Sequence, residues 1–354
     1  ARVTSLTVDQ IAVRLADRMG DVLRSTRRDL SPRQATLWGA VDWSWELLGR
    51  WEQEALCQCS VFRGGFFLDA AESVLDLSLF PEAPPVLDAV EELVRKSLLR
   101  RTEVQGLENE VRFGLYEVIR DYAAGRLDER PDSAHQTLAR HRAFVLSVGD
   151  ELARAVRGGG GGDALRRLML EQDNLVAVLR RSRGNDPRSA VEAALALDAL
   201  FAARGPAAAW RDVLDQGLEA ARHLGASHRA RVLHARGRAR QASDPYVAAE
   251  TDLLGALALA REAGEDLLVG QVSLSLGNLR SRQGLWAPAV EHYTLALEAV
   301  KRAGDRAEEA RVLARLGAAL QQQGHVRRAV ARYREAMRIR TELSLGSPGA
   351  LADG

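Results

Sequence analysis

The run Gly158 to Gly162 is the segment whose residue type comes nearest to a phosphate cradle. A glycine-rich loop of that kind needs a Lys-Ser or Lys-Thr pair at its end, because the lysine reaches the β- and γ-phosphates. Here Asp163-Ala164 follows instead. The Lys-Ser pair Lys96-Ser97 is preceded by Arg95, with Val90 where the first glycine of such a loop belongs. The five glycines therefore read as a loop, and the chain carries no Walker A motif. Seven histidines, His135, His141, His223, His228, His234, His292 and His325, include no i,i+4 pair around a carboxylate, so zinc spacing is absent. Cys57 and Cys59 cannot build a disulfide framework; two apart on a helix, they read as packing residues. No Gly-x-Ser-x-Gly elbow occurs. No motif argues for catalysis, and the chain is expected to be non-enzymatic, with no cofactor and no metal of its own.

A different chemistry, recognition without reaction, is carried by a repeat. Gly237, Gly277 and Gly317 are 40 residues apart. Twelve residues after each stands Ala249, Ala289 or Ala329; sixteen after, Leu253, Tyr293 or Tyr333; nineteen after, Ala256, Ala296 or Ala336. Small residues let antiparallel helices approach, and the large one fills the hole between them. The pattern resembles the tetratricopeptide repeat, lengthened from the usual period of about 34. The extra residues belong in the helices or in the turns near Ala263-Gly264 and Ala303-Gly304-Asp305. A degenerate copy precedes them, with Leu197, Leu214 and Gly217 near the same offsets and Gly225 39 residues before Gly264. Four helix pairs are predicted over 188–345, and 346–354 reads as a frayed tail.

The resemblance implies that the first helix of each pair lines a concave face. Its outward positions carry Arg231, His234, Arg238 and Gln241, then Gln271, Asn278, Ser281 and Arg282, then Arg311, Gln321 and Gln322. Residues 200–340 hold 22 Arg plus Lys against 15 Asp plus Glu, a difference of +7. Such a lining suits an acidic or extended peptide, with arginine forks on carboxylates and amides on peptide groups. Charge this modest, with few aromatics for base stacking, argues against nucleic acid.

The elements that must position these residues follow from composition. The chain has 354 residues, enough for two or three domains, and 46% are hydrophobic. Basic and acidic residues nearly cancel, 49 against 48, so no global field drives the protein toward nucleic acid or acidic lipid. All but Lys96 and Lys301 of the basic residues are arginines. No apolar run reaches the roughly 18 residues that span a bilayer, and no signal-peptide pattern opens the chain, so a cytoplasmic location with no membrane contact is expected. Alanine and leucine at helical spacing, as in Leu37, Val41, Trp45 and Leu48, predict helices almost everywhere. The exception is Ser97 to Thr102 and Val111 to Leu115, which read as two strands around a polar turn, Gln105 to Asn109. Helix, helix, helix, hairpin, helix is the order of a winged helix, predicted over 33–128. The helix that would enter a DNA groove, Val86 to Lys96, has Asp88, Glu91 and Glu92 against Arg95 and Lys96 and is net acidic. A nucleic-acid-binding regulator is the alternative reading, and that acidity weighs against it.

Four segments carry a resemblance over nearly the whole chain. They are the run from Ser31 through Trp43-Ser-Trp45-Glu-Leu-Leu48, Leu56-Cys-Gln-Cys-Ser-Val-Phe-Arg-Gly-Gly-Phe66, Leu93-Val-Arg-Lys-Ser-Leu-Leu99, and Arg112-Phe-Gly-Leu-Tyr-Glu-Val-Ile-Arg-Asp-Tyr-Ala123. Together they resemble the bacterial STAND signal-transducing ATPases of the NB-ARC type, found behind transcription-factor or kinase modules. Glu171-Gln-Asp-Asn-Leu-Val-Ala-Val-Leu179 is similar to that family's connector helix. The resemblance implies a mostly α chain: 1–32 the end of a helical lid, 33–128 a winged-helix domain with a small β-hairpin, 129–187 a helical connector with the glycine-rich loop, then an α-solenoid of tetratricopeptide-like repeats over 188–345. It implies that the ATPase core, with its ATP or ADP, lies outside this chain. It further implies a sensor function: a partner protein, peptide or small inducer in the repeat groove relieves a clamp on that ATPase domain, followed by oligomerisation. In the wider class a Met-His-Asp stretch contacts ADP; Leu115, Tyr116 and Glu117 stand there, so Tyr116 and Glu117 are candidates for an interdomain latch. Trp43 and Trp45, two apart, predict one core and one partly exposed indole.

Overall fold

In the computed structural model the described residues are 37–107, 110–158, 162–204, 207–241 and 246–345. The predicted lid end, the centre of the five-glycine run, the tip of the hairpin turn and the tail lie outside them. The described residues form sixteen helices and one two-stranded antiparallel sheet, a mostly α fold with a single small hairpin. The chain divides into two compact units, Ala1–Ala177 and Val178–Gly354.

In the first unit α1 (Leu37–Glu46), α2 (Arg50–Cys59), α3 (Leu68–Val74) and α4 (Val86–Arg95) precede β1 (Leu99–Glu103) and β2 (Val111–Leu115). That is one helix more than the predicted order. Gly49 begins a separate helix, its N–H held by Glu52 Oε2 at 2.8 Å, in the manner of a capping box. The strands pair from Leu99 opposite Leu115 to Glu103 opposite Val111, and Phe66 adds an isolated bridge to Phe113. Four helices follow, α5 (Glu117–Asp128), α6 (Pro131–Arg157), α7 (Gly162–Leu170) and α8 (Gln172–Ser182). The core gathers Leu56, Phe62, Phe66, Val90, Leu93, Leu99 and Phe113, with the Phe62 and Phe66 rings stacked at 4.4 Å. The two tryptophans divide as their spacing requires: Trp45 packs edge-on against Tyr122 at 5.7 Å, while Trp43 is 49% exposed.

Cys57 and Cys59 are both buried on α2. Burial pushes the Cys57 thiol up to about 12, and Arg130 beside it opposes that shift only in part. Burial also raises the Cys59 thiol. Since the thiolate is the nucleophile, neither side chain is expected to react with a disulfide reagent at pH 8 in the folded chain. Both should react within seconds in denaturant; rapid native labelling of either would contradict the packing.

Three of the sequence segments meet in one buried polar junction. Arg112, on β2, donates from Nη1 to Glu171 Oε1 at 2.9 Å and from Nη2 to the carbonyls of Gly65 at 2.9 Å and Leu170 at 2.5 Å. Its Nε donates to the Gly64 carbonyl at 3.2 Å, and its guanidinium lies 5.0 Å from the Phe67 ring centroid. Asn174, fully buried, accepts the Arg63 N–H at 2.7 Å and donates to the Gly65 carbonyl at 3.0 Å and Glu171 Oε2 at 2.7 Å. Gly64 and Gly65 have φ of 71° and 104°, and a Cβ on Gly65 would stand 2.6 Å from the Phe113 carbonyl oxygen. The double glycine is thus what turns two carbonyls toward Arg112. The junction fastens the first turn of α8 to the hairpin.

The second unit is four antiparallel helix pairs: α9 (Pro187–Arg204) with α10 (Ala207–Ala221), α11 (Ala226–Gln241) with α12 (Tyr246–Glu262), α13 (Asp266–Arg282) with α14 (Trp286–Ala303), and α15 (Arg306–Gln322) with α16 (Val326–Leu345). From α13 to α16 the helices have 17, 18, 17 and 20 residues, so the long period lies in the helices and the turns stay tight. The repeated small and large residues meet as their offsets predict. A Cβ on Gly237 would stand 2.7 Å from Leu253 Cγ, one on Gly277 2.4 Å from Tyr293 Cε1, and one on Gly317 3.0 Å from Tyr333 Cε1. Ala249, Ala289 and Ala329 are each at most 1% exposed. The first pair reverses the arrangement: its glycine, Gly217, sits on the second helix against Ala194 of the first. That reversal is why the first copy looks degenerate in sequence.

Candidate functional site

The first helices of the last three pairs, α11, α13 and α15, turn polar side chains into one cleft of about 400 Å³. Of the eleven predicted groove residues it gathers Gln241, Asn278, Ser281, Arg282, Gln321 and Gln322, and it adds Trp286, Tyr293 and Arg315. Tyr293 rises from α14 into the gap left by Gly277. Its hydroxyl donates to Asn278 Oδ1 at 2.9 Å and lies 2.9 Å from Ser281 Oγ. Desolvation raises the Tyr293 phenol, so it stays a neutral donor. Gln241 Nε2 donates to the Ser275 carbonyl at 3.1 Å, and Arg282 Nη1 donates to the Gln241 carbonyl at 3.0 Å. The last contact fixes the Arg282 guanidinium without neutralising it. No carboxylate among the described residues lies within ion-pair distance of Arg282 or Arg315.

The other five predicted residues are occupied elsewhere. Arg238 pairs with Asp198, a carboxylate 1% exposed that also accepts Trp210 Nε1 at 3.0 Å. Arg231 faces Glu265 at 3.7 Å, and Arg311 faces Glu308 at 3.2 Å. Gln271 also hydrogen-bonds Glu308, whose carboxyl is raised by desolvation. His234 Nε2 lies 2.9 Å from Ser275 Oγ. Three of the four predicted groove arginines are therefore paired with acids, and the positive charge of the cleft reduces to Arg282 and Arg315. Arg315 escaped the sequence reading because its repeat equivalents, Ala235 and Ser275, carry no charge to mark the position. Tyr293 was legible only as a packing residue, and Trp286 was not singled out.

Tyr116 and Glu117 belong to the first unit. Tyr116 is 54% exposed at the N-cap of α5, and Glu117 in its first turn pairs with Arg120 at 2.9 Å. An anionic carboxylate and a lone exposed phenol make no cradle for a nucleotide phosphate, which needs converging N–H donors or cations. Among the described residues no group of three or more His, Cys, Asp or Glu could hold a metal ion, and no helix is long and apolar enough to cross a membrane.

With this geometry in place, residues 268–342 match the tetratricopeptide repeat family. A Mycobacterium tuberculosis protein provisionally named an HTH-type transcriptional regulator is 34% identical over 191 residues, 52% of this chain and 20% of that protein. An uncharacterized protein of the same organism is 32% identical over 162 residues, 46% of this chain and 39% of its own length. This chain thus spans about a fifth and about two-fifths of these two relatives. Among solved structures, BtubC (BKLC) from P. vanneervenii aligns at 21% identity and a TM-score of 0.48, over 64% of this chain and 92% of its own. A signal transduction ATPase with numerous domains and a tetratricopeptide repeat sensor, from Pyrococcus horikoshii, aligns at 14% identity and a TM-score of 0.46, over 91% of this chain and 48% of its own. Tetratricopeptide repeats are protein-interaction modules, and the stretch matched to them, 268–342, runs from α13 into α16.

Proposed function

We propose that the repeat unit binds an extended acidic segment of a partner protein in the cleft floored by Tyr293, with Arg282 and Arg315 on its carboxylates and Gln241, Asn278, Gln321 and Gln322 on its peptide groups. The single observation that carries this reading is a pair of arginines with no carboxylate partner among the described residues, in a cleft that also holds four amide side chains, where every other predicted groove arginine has an acid. Charge-assisted hydrogen bonds to a carboxylate contribute about 1.5–3 kcal/mol each. The chain would then serve as the non-catalytic sensor half of a STAND-type signalling ATPase in the cytoplasm, in transcriptional or kinase signalling, with ATP or ADP bound by a part of the protein outside this chain. The matches to relatives named as HTH-type regulators, and the resemblance of the four motifs, support that placement. The order α2, Phe66 bridge, α3, α4, hairpin supports a winged-helix reading of 33–128. Within it Lys96 is paired with Glu52 at 2.6 Å and Arg95 with Glu92 at 2.6 Å, so α4 offers DNA little free positive charge. A docking role toward the ATPase core, with Tyr116 and Glu117 as latch, fits that surface better.

The cleft reading is tested with a labelled glutamate-rich peptide and fluorescence anisotropy. Arg282→Glu with Arg315→Glu is expected to weaken binding about a hundredfold, since two charge-assisted contacts are lost at about 1.4 kcal/mol per decade. The melting temperature should not change, because both side chains are exposed. Equal affinity of the double variant and the parent would end this reading. Arg238→Glu is a poor substitute, as it would set an acid against buried Asp198.

A further inference from the structure

We infer that the acidic segment carries one aliphatic side chain between its carboxylates, seated in a notch formed by Trp286 and Ala318; this rests on the cleft reading above. One residue after each repeat glycine stands Arg238, Asn278 or Ala318. The first two are half-buried and each is held within the fold: Arg238 pairs with Asp198, and Asn278 accepts the Tyr293 hydroxyl at 2.9 Å. Ala318 is exposed and lines the cleft. Where the two earlier copies place a polar side chain, the third presents a methyl group and leaves the space beyond it open. Asparagine and leucine side chains have the same branched shape, so the opening left where Asn278 stands one copy earlier has the size of one leucine.

The charges beside the notch place it between two acids. Arg315 and Ala318 are three residues apart on α15 and share a face of that helix. Arg282 ends α13, and Trp286 begins α14 across the turn. Both walls therefore set a guanidinium next to apolar surface, and all four residues line one cleft. A segment with a carboxylate on each arginine brings the side chain between them against the indole and the methyl group. An aliphatic side chain there removes apolar surface from water on both partners, whereas a purely acidic segment leaves that surface wet. The notch lies inside the stack: α13 packs between α12 and α14, and α15 between α14 and α16, so no wall is an end of the described chain.

The probes are two labelled peptides of equal charge, glutamates flanking a single central residue, leucine in one and alanine in the other. Fluorescence anisotropy with the full chain should show the leucine peptide binding about tenfold tighter, the gain from burying most of a leucine side chain. Ala318→Asn, which restores the side chain of the preceding copy, should bring the two peptides to equal affinity by weakening the leucine peptide alone. Position 318 is exposed, so the melting curve of this variant should match that of the parent. Trp286→Ala should likewise remove the leucine preference, while Arg282→Glu with Arg315→Glu should weaken both peptides. Equal affinity of the two peptides for the parent, with both still lost in the arginine variant, would overturn the inference and leave the acidic reading standing. A leucine preference that survives either Ala318→Asn or Trp286→Ala would overturn it too. Binding of neither peptide would end the cleft reading and the inference with it.

Discussion

Arg112→Ala is expected to destabilise the first unit by about 3–5 kcal/mol, the cost of leaving one member of a buried ion pair without its partner. Glu171 is 4% exposed and would keep only the Asn174 amide as a donor. The carbonyls of Gly64 and Leu170 would lose their donor in the same step, and that of Gly65 would keep only the Asn174 amide. Those extra losses separate this junction from a simple salt bridge. Arg112→Met with Glu171→Leu removes both charges and should recover part of the loss, yet not all of it, because the Gly64 and Leu170 carbonyls remain unpaired. Hydrogen exchange read by mass spectrometry checks the location: faster exchange is expected in the segments 62–67 and 170–177 ahead of any change in the repeats. Unchanged exchange there would show that the junction contributes nothing to holding α8.

Tyr293→Ala is expected to cost about 3–5 kcal/mol in the repeat unit, the range for emptying a large buried aromatic site. Tyr293 is 2% exposed, fills the notch opposite Gly277, and holds Asn278 and Ser281 through its hydroxyl. Tyr333 occupies the same place one repeat on, but it is half-buried, and its hydroxyl reaches the exposed Gln321 at 3.3 Å. Tyr333→Ala should therefore cost clearly less, although the two positions are identical in the repeat. Urea unfolding followed by Trp286 fluorescence reads the difference. Equal losses would mean that the stacking of α15 on α14 adds nothing to the aromatic site. Tyr293→Ala should also weaken the acidic peptide beyond its effect on stability, since it removes the floor that orients Asn278.

Much of the architecture was legible in the residues. The offsets from Gly237, Gly277 and Gly317 to their alanines and large partners are a direct record of interhelical distance, because only a residue without a side chain permits a ring within 2.4 Å of where its Cβ would be. Helical periodicity and the lone strand-like pair gave the mostly α fold with one hairpin. The first helix pair was less readable because Gly217 and Ala194 exchange the roles that the later copies keep.

The local pattern of this chain determined which helices form, how they pair, and that polar side chains line their first members. Charge is different, because an arginine can be neutralised by an acid that the fold brings to it from tens of residues away, as Asp198 is brought to Arg238. Only the tertiary structure decided that Arg282 and Arg315 have no acid partner among the described residues while Arg231 and Arg238 do. Only it decided that Arg112 shares one buried junction with Glu171, 59 residues on, and with Asn174 beside that glutamate. Periodicity is set by neighbours along a helix, whereas Coulomb pairing between helices depends on through-space distance and burial, which spacing along the chain does not encode.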